Sequence, residues 1–237
     1  MSEPPLERAS LIVPVGKDDA RLARLLDELE RAPLGKLEVV IVDNESRDEG
    51  AGSPGFARAA KRYQVVREGT RGKGAAVRKG MLAASRDLRV FTDVDLPYGF
   101  EGVRDAIAAL ARGEAPVVVG SRLVPGSTGK SGILRTIMSF CFRKWVAMCL
   151  GAGDLGDTQC GLKGFRADVA RELFQNLGTT GFAFDCEILA RAKLSGHAIE
   201  RIPVKLRPEI GGSSIRVIPD SLRMFREVLR IRKVLRA

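Results

Sequence analysis

Two aspartates one residue apart, Asp93 and Asp95 in Thr92-Asp93-Val94-Asp95, follow directly on the apolar run Leu88 to Thr92. Carboxylates spaced this way on a tight loop can face one cation. Mg2+ or Mn2+ takes such hard oxygen ligands and keeps water and substrate phosphate in the rest of its shell. A cation between this loop and a diphosphate neutralises charge that grows as the leaving group departs. The pair also suits a solvated turn, where aspartate is common, but its place at the end of an apolar run favours the metal. Asp43, in Val42-Asp43-Asn44, ends another apolar run in the same way. There a carboxylate can accept a hydrogen bond from a nucleobase ring N–H, or can close a turn. Asp18, shortly after the first apolar run, raises the same two readings. Gly69 to Gly74 (GTRGKG) opens a helix, and its N–H groups with Arg71 and Lys73 suit a phosphate or nucleotide edge. It is not a Walker loop, since no Ser or Thr follows the lysine.

The elements that must position these residues alternate along the first half. Leu11 to Val15, Leu37 to Val42, Tyr63 to Arg67, Leu88 to Thr92 and Pro116 to Gly120 read as strands. Between them, Asp19 to Arg31 carries Leu22, Leu25, Leu26 and Leu29 at helical spacing, and Lys73 to Ala84 and Glu101 to Arg112 read as helices. This rhythm predicts an α/β sheet with helices on both faces, whose ligands lie beyond the carboxyl ends of the strands. The chemistry is therefore expected just after Val15, Val42, Thr92 and Gly120. The second half is less regular. It offers an apolar but charge-interrupted stretch (Ile133 to Leu150) and a glycine-rich loop (Gly151 to Gly156). Helices are expected near Asp168 to Phe174 and Asp185 to Ser195, with a late strand in Ala198 to Leu206. Gly211 to Ser214 reads as a turn and Asp220 to Arg236 as a basic helix. The domain reading is a disordered or extended N-terminus (1–9), one catalytic domain (10–215) and a basic amphipathic C-terminal helix (216–237).

Composition narrows the function. The 237 residues carry 39 Lys+Arg against 29 Asp+Glu, a formal charge of +10, which attracts phosphate-bearing ligands, nucleic acid or anionic lipid alike. Scarce aromatics argue against a stacking platform for single strands, and no nucleic-acid motif is present. Four cysteines without a CxxC pair (Cys141, Cys149, Cys160, Cys186) and a single histidine, His197, leave too few ligands for a zinc site. They read as reduced structural thiols in a cytoplasmic protein. The polar start MSEPPLERAS has no apolar core of a signal peptide.

The order of segments VPVGKDD, IVDNESRD, RGKGAAVRKG, FTDVDLP, VVVGSR, DTQCGLKGF and FAFDCEILARA is specific. Through nearly the whole chain it resembles family 2 of the inverting glycosyltransferases, most closely the dolichyl-phosphate glucosyltransferases and related polyprenyl-phosphate sugar synthases. The resemblance implies a GT-A fold with a mixed, mostly parallel sheet. It places Pro14 and Asp18 along the base and ribose, Asp43 on the base, Lys73 near the nucleotide, Asp93 near ribose or phosphate, and Asp95 on the metal. Arg122 would face the phosphates, Lys163 would hold the acceptor phosphate, and Asp157 would orient a positive partner or the acceptor. Asp185 and Glu187 match the position where relatives hold an acidic catalytic residue; on their own they also read as a charged helix start. At Asp18 the run is GKD where the family usually has YNE, so the side chain is shorter.

The implied activity moves a hexose, glucose from UDP-glucose, to polyprenyl or dolichyl phosphate with Mg2+ or Mn2+. A phosphate acceptor is already anionic and needs no strong base, whereas a hydroxyl acceptor does. Transfer to a soluble hydroxyl acceptor, or nucleotide-sugar binding without turnover, are the competing readings. The C-terminal helix sets Met224, Phe225, Val228, Ile231 and Leu235 on one side and Arg223, Arg226, Arg230 and Lys233 on another. Such a helix suits peripheral contact with the cytoplasmic membrane face, or packing on its own domain or a second subunit. The stretch Ile133 to Leu150, with Phe142 and Trp145, falls where relatives place a membrane-contacting helix. It is too short and too charged for the roughly 20 apolar residues of a span.

Overall fold

The computed structural model describes residues 3–16, 19–44, 53–128, 144–153, 155–207 and 217–236, with the side chains of the last segment described from Arg226 to Leu235. Asp18, Cys141, Phe142, the turn at Gly211 to Ser214, Arg223, Met224 and Phe225 lie outside these described side chains. In chain order the elements are β1 (Ala9–Val15), α1 (Asp19–Arg31), β2 (Glu38–Asp43), α2 (Pro54–Ala59), β3 (Gln64–Arg67), α3 (Lys73–Ala83), β4 (Leu88–Thr92), α4 (Gly99–Arg112) and β5 (Val117–Ser121). A helical segment over 144–150 (α5) follows. The rest are β6 (Leu162–Arg166), α6 (Ala167–Gln175), α7 (Phe184–Leu194), β7 (Ile199–Pro203) and α8 (Val217–Arg236).

One sheet of seven strands runs β3-β2-β1-β4-β6-β5-β7. β1, β2, β3 and β4 are parallel, β6 runs antiparallel to both β4 and β5, and β7 is parallel to β5. β6 is the strand that sequence reading missed. Its run Leu-Lys-Gly-Phe-Arg lacks the Val/Ile signature of its neighbours, because one position is a fully buried lysine and another a glycine against which Leu110 packs. The short helix α2 also went unread, although Pro54 stands at its first turn.

Side-chain alternation along the strands sorts the interior into two cores. Leu11, Val13 and Val15 point with Val39, Ile41 and Val90 toward α1, α2 and α4. Ile12, Val40, Val42 and Phe91 point to the other face, toward α3, α5, α6, α7 and α8. Leu22, Leu25, Leu26 and Leu29 of α1 are buried as their spacing requires. Each such side chain contributes about 1.5–3 kcal/mol on leaving water. Helix α4 stops at Gly113, whose φ of 78° is a left-handed conformation that glycine adopts without strain. The N-terminal stretch expected to be extended carries a 3-10 turn at Leu6–Arg8, and Leu6 packs on the core.

Three further expectations meet the structure here. In the apolar stretch, Val146, Cys149 and Leu150 are buried in the core while Met148 is exposed. Among the described side chains of α8, Val228 and Ile231 are buried and Leu235 packs beside them, while Leu229 and Val234 are exposed. Among the described residues no helix is long and apolar enough to cross a membrane.

The close packing of α3 on the sheet rests on Gly80, where an added Cβ would lie 2.4 Å from Ile12 Cγ2 and 2.8 Å from Val42 Cγ2. Gly80→Ala is therefore expected to destabilise the fold by about 1–3 kcal/mol, the usual cost of overpacking. Urea denaturation checks this, and an unchanged midpoint would contradict the packing.

Candidate active site at the carboxyl ends of the strands

The parallel strands β2, β1 and β4 end on one edge of the sheet, so Asp43 at the end of β2 and Asp93 just after β4 are separated by one strand, about 10 Å at the usual strand spacing. Because β6 runs the other way, the loop before it (157–161) arrives at that same edge. Arg122 follows β5 there too. His197 sits at the opposite edge, before β7, with its Nε2 3.0 Å from Glu172 Oε2.

Asp43 is nearly buried and lies 3.7 Å from Arg67 Nε. Its neighbour Asn44, to which the sequence reading gave no role, ties the nucleotide-side loops together. Asn44 Nδ2 donates to the carbonyls of Glu68 (3.0 Å) and Thr70 (2.7 Å), and its Oδ1 accepts from Gly72 N–H at 2.9 Å. The glycine turn is thus partly spent on the protein. Gly72 N–H goes to Asn44 and Ala75 N–H to the Thr180 carbonyl at 3.2 Å, which narrows the expected phosphate cradle. The glycines serve close approach instead: a Cβ on Gly72 would lie 2.1 Å from Thr180 O, and one on Gly74 2.4 Å from Thr179 O.

Lys73, first residue of α3, reaches across to Asp93 and contacts its Oδ1 at 2.5 Å. The other Asp93 oxygen lies over Gly161, where a Cβ would be 2.1 Å from it. Burial alone would lower the Lys73 ammonium, but the charges of Asp93, Asp185 and Asp95 override it and hold the pKa above its usual value. Asp95 is exposed, and partial burial of its carboxyl together with the Asp93 charge pushes it up. Asp185, at the start of α7, is pushed up by burial against the pull of Lys163 and Lys73. Asp93, Asp95 and Asp185 therefore share one electrostatic neighbourhood centred on Lys73. Two hard carboxylates that crowd each other, one of them solvent-facing, fit a divalent cation that takes its remaining ligands from a diphosphate and water. Among the described residues no group of three or more acidic, His or Cys side chains could hold a metal by itself.

Two expected roles change, those of Lys163 and Glu187, and that of Asp157 becomes specific. Lys163 is fully buried and spends its three N–H bonds on Thr158 O (3.0 Å), Cys160 O (2.7 Å) and Asp185 Oδ1 (2.5 Å), so it holds no acceptor phosphate. Asp157 is buried with both oxygens on Arg122: Nε donates at 2.7 Å, an Nη at 2.8 Å, and the backbone N–H at 3.1 Å. Burial would raise that carboxyl, but the Arg122 guanidinium more than offsets it and the group sits low. Asp157 therefore orients a positive partner, one of its two expected roles, and that partner is Arg122. Glu187 accepts from Gly178 N–H (3.1 Å), Thr179 N–H (2.8 Å) and Arg191 Nε (2.9 Å), which fixes the loop before α7 instead of facing a substrate. Burial holds Cys160 up at about 11 and Cys186 up at about 12, as inert thiols. Pro14 lies in β1 opposite Val42, one residue short of the edge.

Residues 10–174 match the family described as Glycosyl transferase family 2. The chain is 30% identical to a dolichyl-phosphate beta-glucosyltransferase of Dictyostelium discoideum, over 94% of this chain and 73% of that protein. It is 28% identical to the dolichyl-phosphate beta-glucosyltransferase of Homo sapiens, over 96% and 76%. Among solved structures, glucosyl-3-phosphoglycerate synthase from Mycobacterium tuberculosis in complex with UDP superposes with a TM-score of 0.68 at 20% identity, covering 96% of this chain and 79% of that one. A second crystal structure of that synthase, holding Mn2+, UDP and glucosyl-3-phosphoglycerate, gives 0.67 at 20% identity over 94% and 77%. The fold is GT-A, as the resemblance implied.

Two measurements test the site's inner bonds. Lys163→Ala leaves Asp185 as a buried charge without its main partner and is expected to cost about 3–5 kcal/mol in urea denaturation. An effect below about 1 kcal/mol would deny the pair its structural role. Asp157 binds a proton less readily folded than unfolded, so its contribution is present at neutral pH. It is lost as pH falls below about 4 and through the lower folded value. Asp157→Asn is expected to flatten that acid limb of the stability profile, and an unchanged limb would contradict the assignment.

Proposed function

The chain belongs to glycosyltransferase family 2, and from that premise we propose that it is an inverting glucosyltransferase moving glucose from UDP-glucose to a polyprenyl phosphate of the dolichyl type. The observation that carries the proposal is the charge cluster at the strand ends, with Asp93, Asp95 and Asp185 around Lys73 and Arg122 aimed from β5. The names of the relatives supply the acceptor and the sugar.

In this reading Asp43 receives the uracil ring N–H beside Pro14. Lys73 and Arg122 meet the diphosphate. Asp95 and Asp93 would hold Mg2+ or Mn2+, which when bound supplies positive charge against the departing diphosphate. The acceptor attacks the anomeric carbon in line, opposite the leaving group, which inverts that centre. A phosphate acceptor arrives anionic, so the demand falls on charge balance rather than on a strong base. Asp185, held by Lys163, orients the acceptor side. Lys163 contributes by fixing that carboxylate, not by touching substrate. Arg122 gains rigidity from Asp157 while its side chain stays about a third exposed, at 30%.

Peripheral contact with the cytoplasmic membrane face belongs to the same proposal, because a polyprenyl tail resides in lipid. Its support is the outer face of α8, where Arg226, Arg230 and Lys233 are exposed. Each basic group near an anionic surface contributes about 1 kcal/mol.

The deciding experiment incubates UDP-glucose labelled in the sugar with polyprenyl phosphate, and in parallel with 3-phosphoglycerate. Label is expected in the lipid phase, and label found solely in the water-soluble product would overturn the acceptor. Asp95→Ala is expected to lower metal-dependent turnover at least about 100-fold, within the range typical for loss of one charge-stabilising contact. Its circular dichroism should match the parent. Undiminished turnover would remove the metal role.

A further inference from the structure

The segment Gly178 to Ala183 is the piece that joins the donor side to the acceptor side. Its Thr180 carbonyl accepts from Ala75 N–H and sits against Gly72, so it fixes the turn that presents Lys73. Its end starts α7, which carries Asp185, and Lys73 Nζ lies 6.0 Å from the Phe184 ring. Glu187 holds the segment from within. A second carboxylate holds it from outside. Glu227 of α8 accepts from Ala183 N–H at 3.4 Å, and a Cβ on Gly181 would meet its two carboxylate oxygens at 2.6 Å and 2.8 Å. Ala183 is the N-cap residue of α7 and makes no side-chain cap of its own. A carboxylate placed there meets the positive dipole end of that helix. α8 is anchored beside it by Val228 and Ile231.

We propose that Glu227 is a positioning residue for the active site: from the C-terminal helix it clamps the segment 178–183 and so sets Lys73 relative to Asp185. That this region is an active site rests on the proposed function, whereas the clamp rests on the contacts of Glu227 with Ala183 and Gly181. α8 then becomes part of the catalytic machinery although it lies beyond the residues matched to the family. A methyl group at position 181 would push the Glu227 carboxylate out of place.

The test combines amide hydrogen exchange with kinetics on the full chain, for wild type, Glu227→Gln, Glu227→Ala, Gly181→Ala and the double variant. Without any substrate, Glu227→Ala is expected to speed exchange at Ala75 and Ala183 about tenfold, the scale of one charged hydrogen bond, while amides of β4 stay as in wild type. kcat for glucose transfer should fall about tenfold with the melting temperature little changed, and Glu227→Gln should fall between. Gly181→Ala should reproduce the defect in the wild-type background and add less than about twofold when Glu227 is already alanine. Unchanged exchange at Ala75 in Glu227→Ala, or additive penalties in the double variant, would overturn the clamp. Absence of glucose transfer by wild type would count against the proposed function alone, since exchange reads the clamp independently.

Discussion

Like charges do not gather without cations between them, and that constraint organises this molecule. Asp93, Asp95 and Asp185 share one neighbourhood at the edge of the sheet, with the ammonium groups of Lys73 and Lys163 set among them. The two lysines do different work. Lys163 is sealed in the core with three protein acceptors, so it fixes one carboxylate permanently. Lys73 is largely covered but keeps some exposure, and it faces the loop that carries the exposed Asp95. Asp95 is the exposed carboxylate of the three, and although Arg21 and Lys73 pull on it, burial and the Asp93 charge still hold its proton more tightly than usual. A site built that way gains from a bound cation more than from a bare anion, so a diphosphate is best received together with a divalent ion.

The reversed strand β6 is what makes the arrangement closable. An all-parallel sheet would send the segment preceding the sixth strand to the wrong edge. Running antiparallel between β4 and β5, β6 brings 157–161 next to Asp93 and Arg122. Gly161 then gives Asp93 room, Asp157 grips Arg122, and the carbonyls of Thr158 and Cys160 hold Lys163. One short loop thus serves three parts of the site. The segment 178–183 plays the matching role on the other side, where close backbone approach to Gly72 and Gly74 links the donor turn to α7.

Much of this was legible in the sequence. Val/Ile runs marked the parallel strands, leucine spacing marked α1 within its observed bounds, and aspartates at strand ends marked the edge where the acidic side chains gather around Lys73. What failed was anything that depends on tertiary partners. Lys163 looked like a free cation because a sequence shows a lysine's charge but not the three acceptors that surround it. Glu187 looked catalytic because a carboxylate's type is visible while its occupancy is not. Asn44 carried no signal beyond its place after Asp43, yet it ties three backbone groups. The strand β6 was hidden by its own buried charge, which broke the apolar pattern that strand reading relies on. The basic helix α8 showed its two-sidedness plainly, and only packing decided that Val228 and Ile231 face the protein.

The central claim is that the acidic edge and a divalent cation receive the donor together. Isothermal titration of UDP-glucose into the protein, with Mn2+ and then with chelator, tests it most directly. Binding is expected to tighten at least about tenfold with the metal, about 1.4 kcal/mol. Equal affinity in the two conditions would contradict the account.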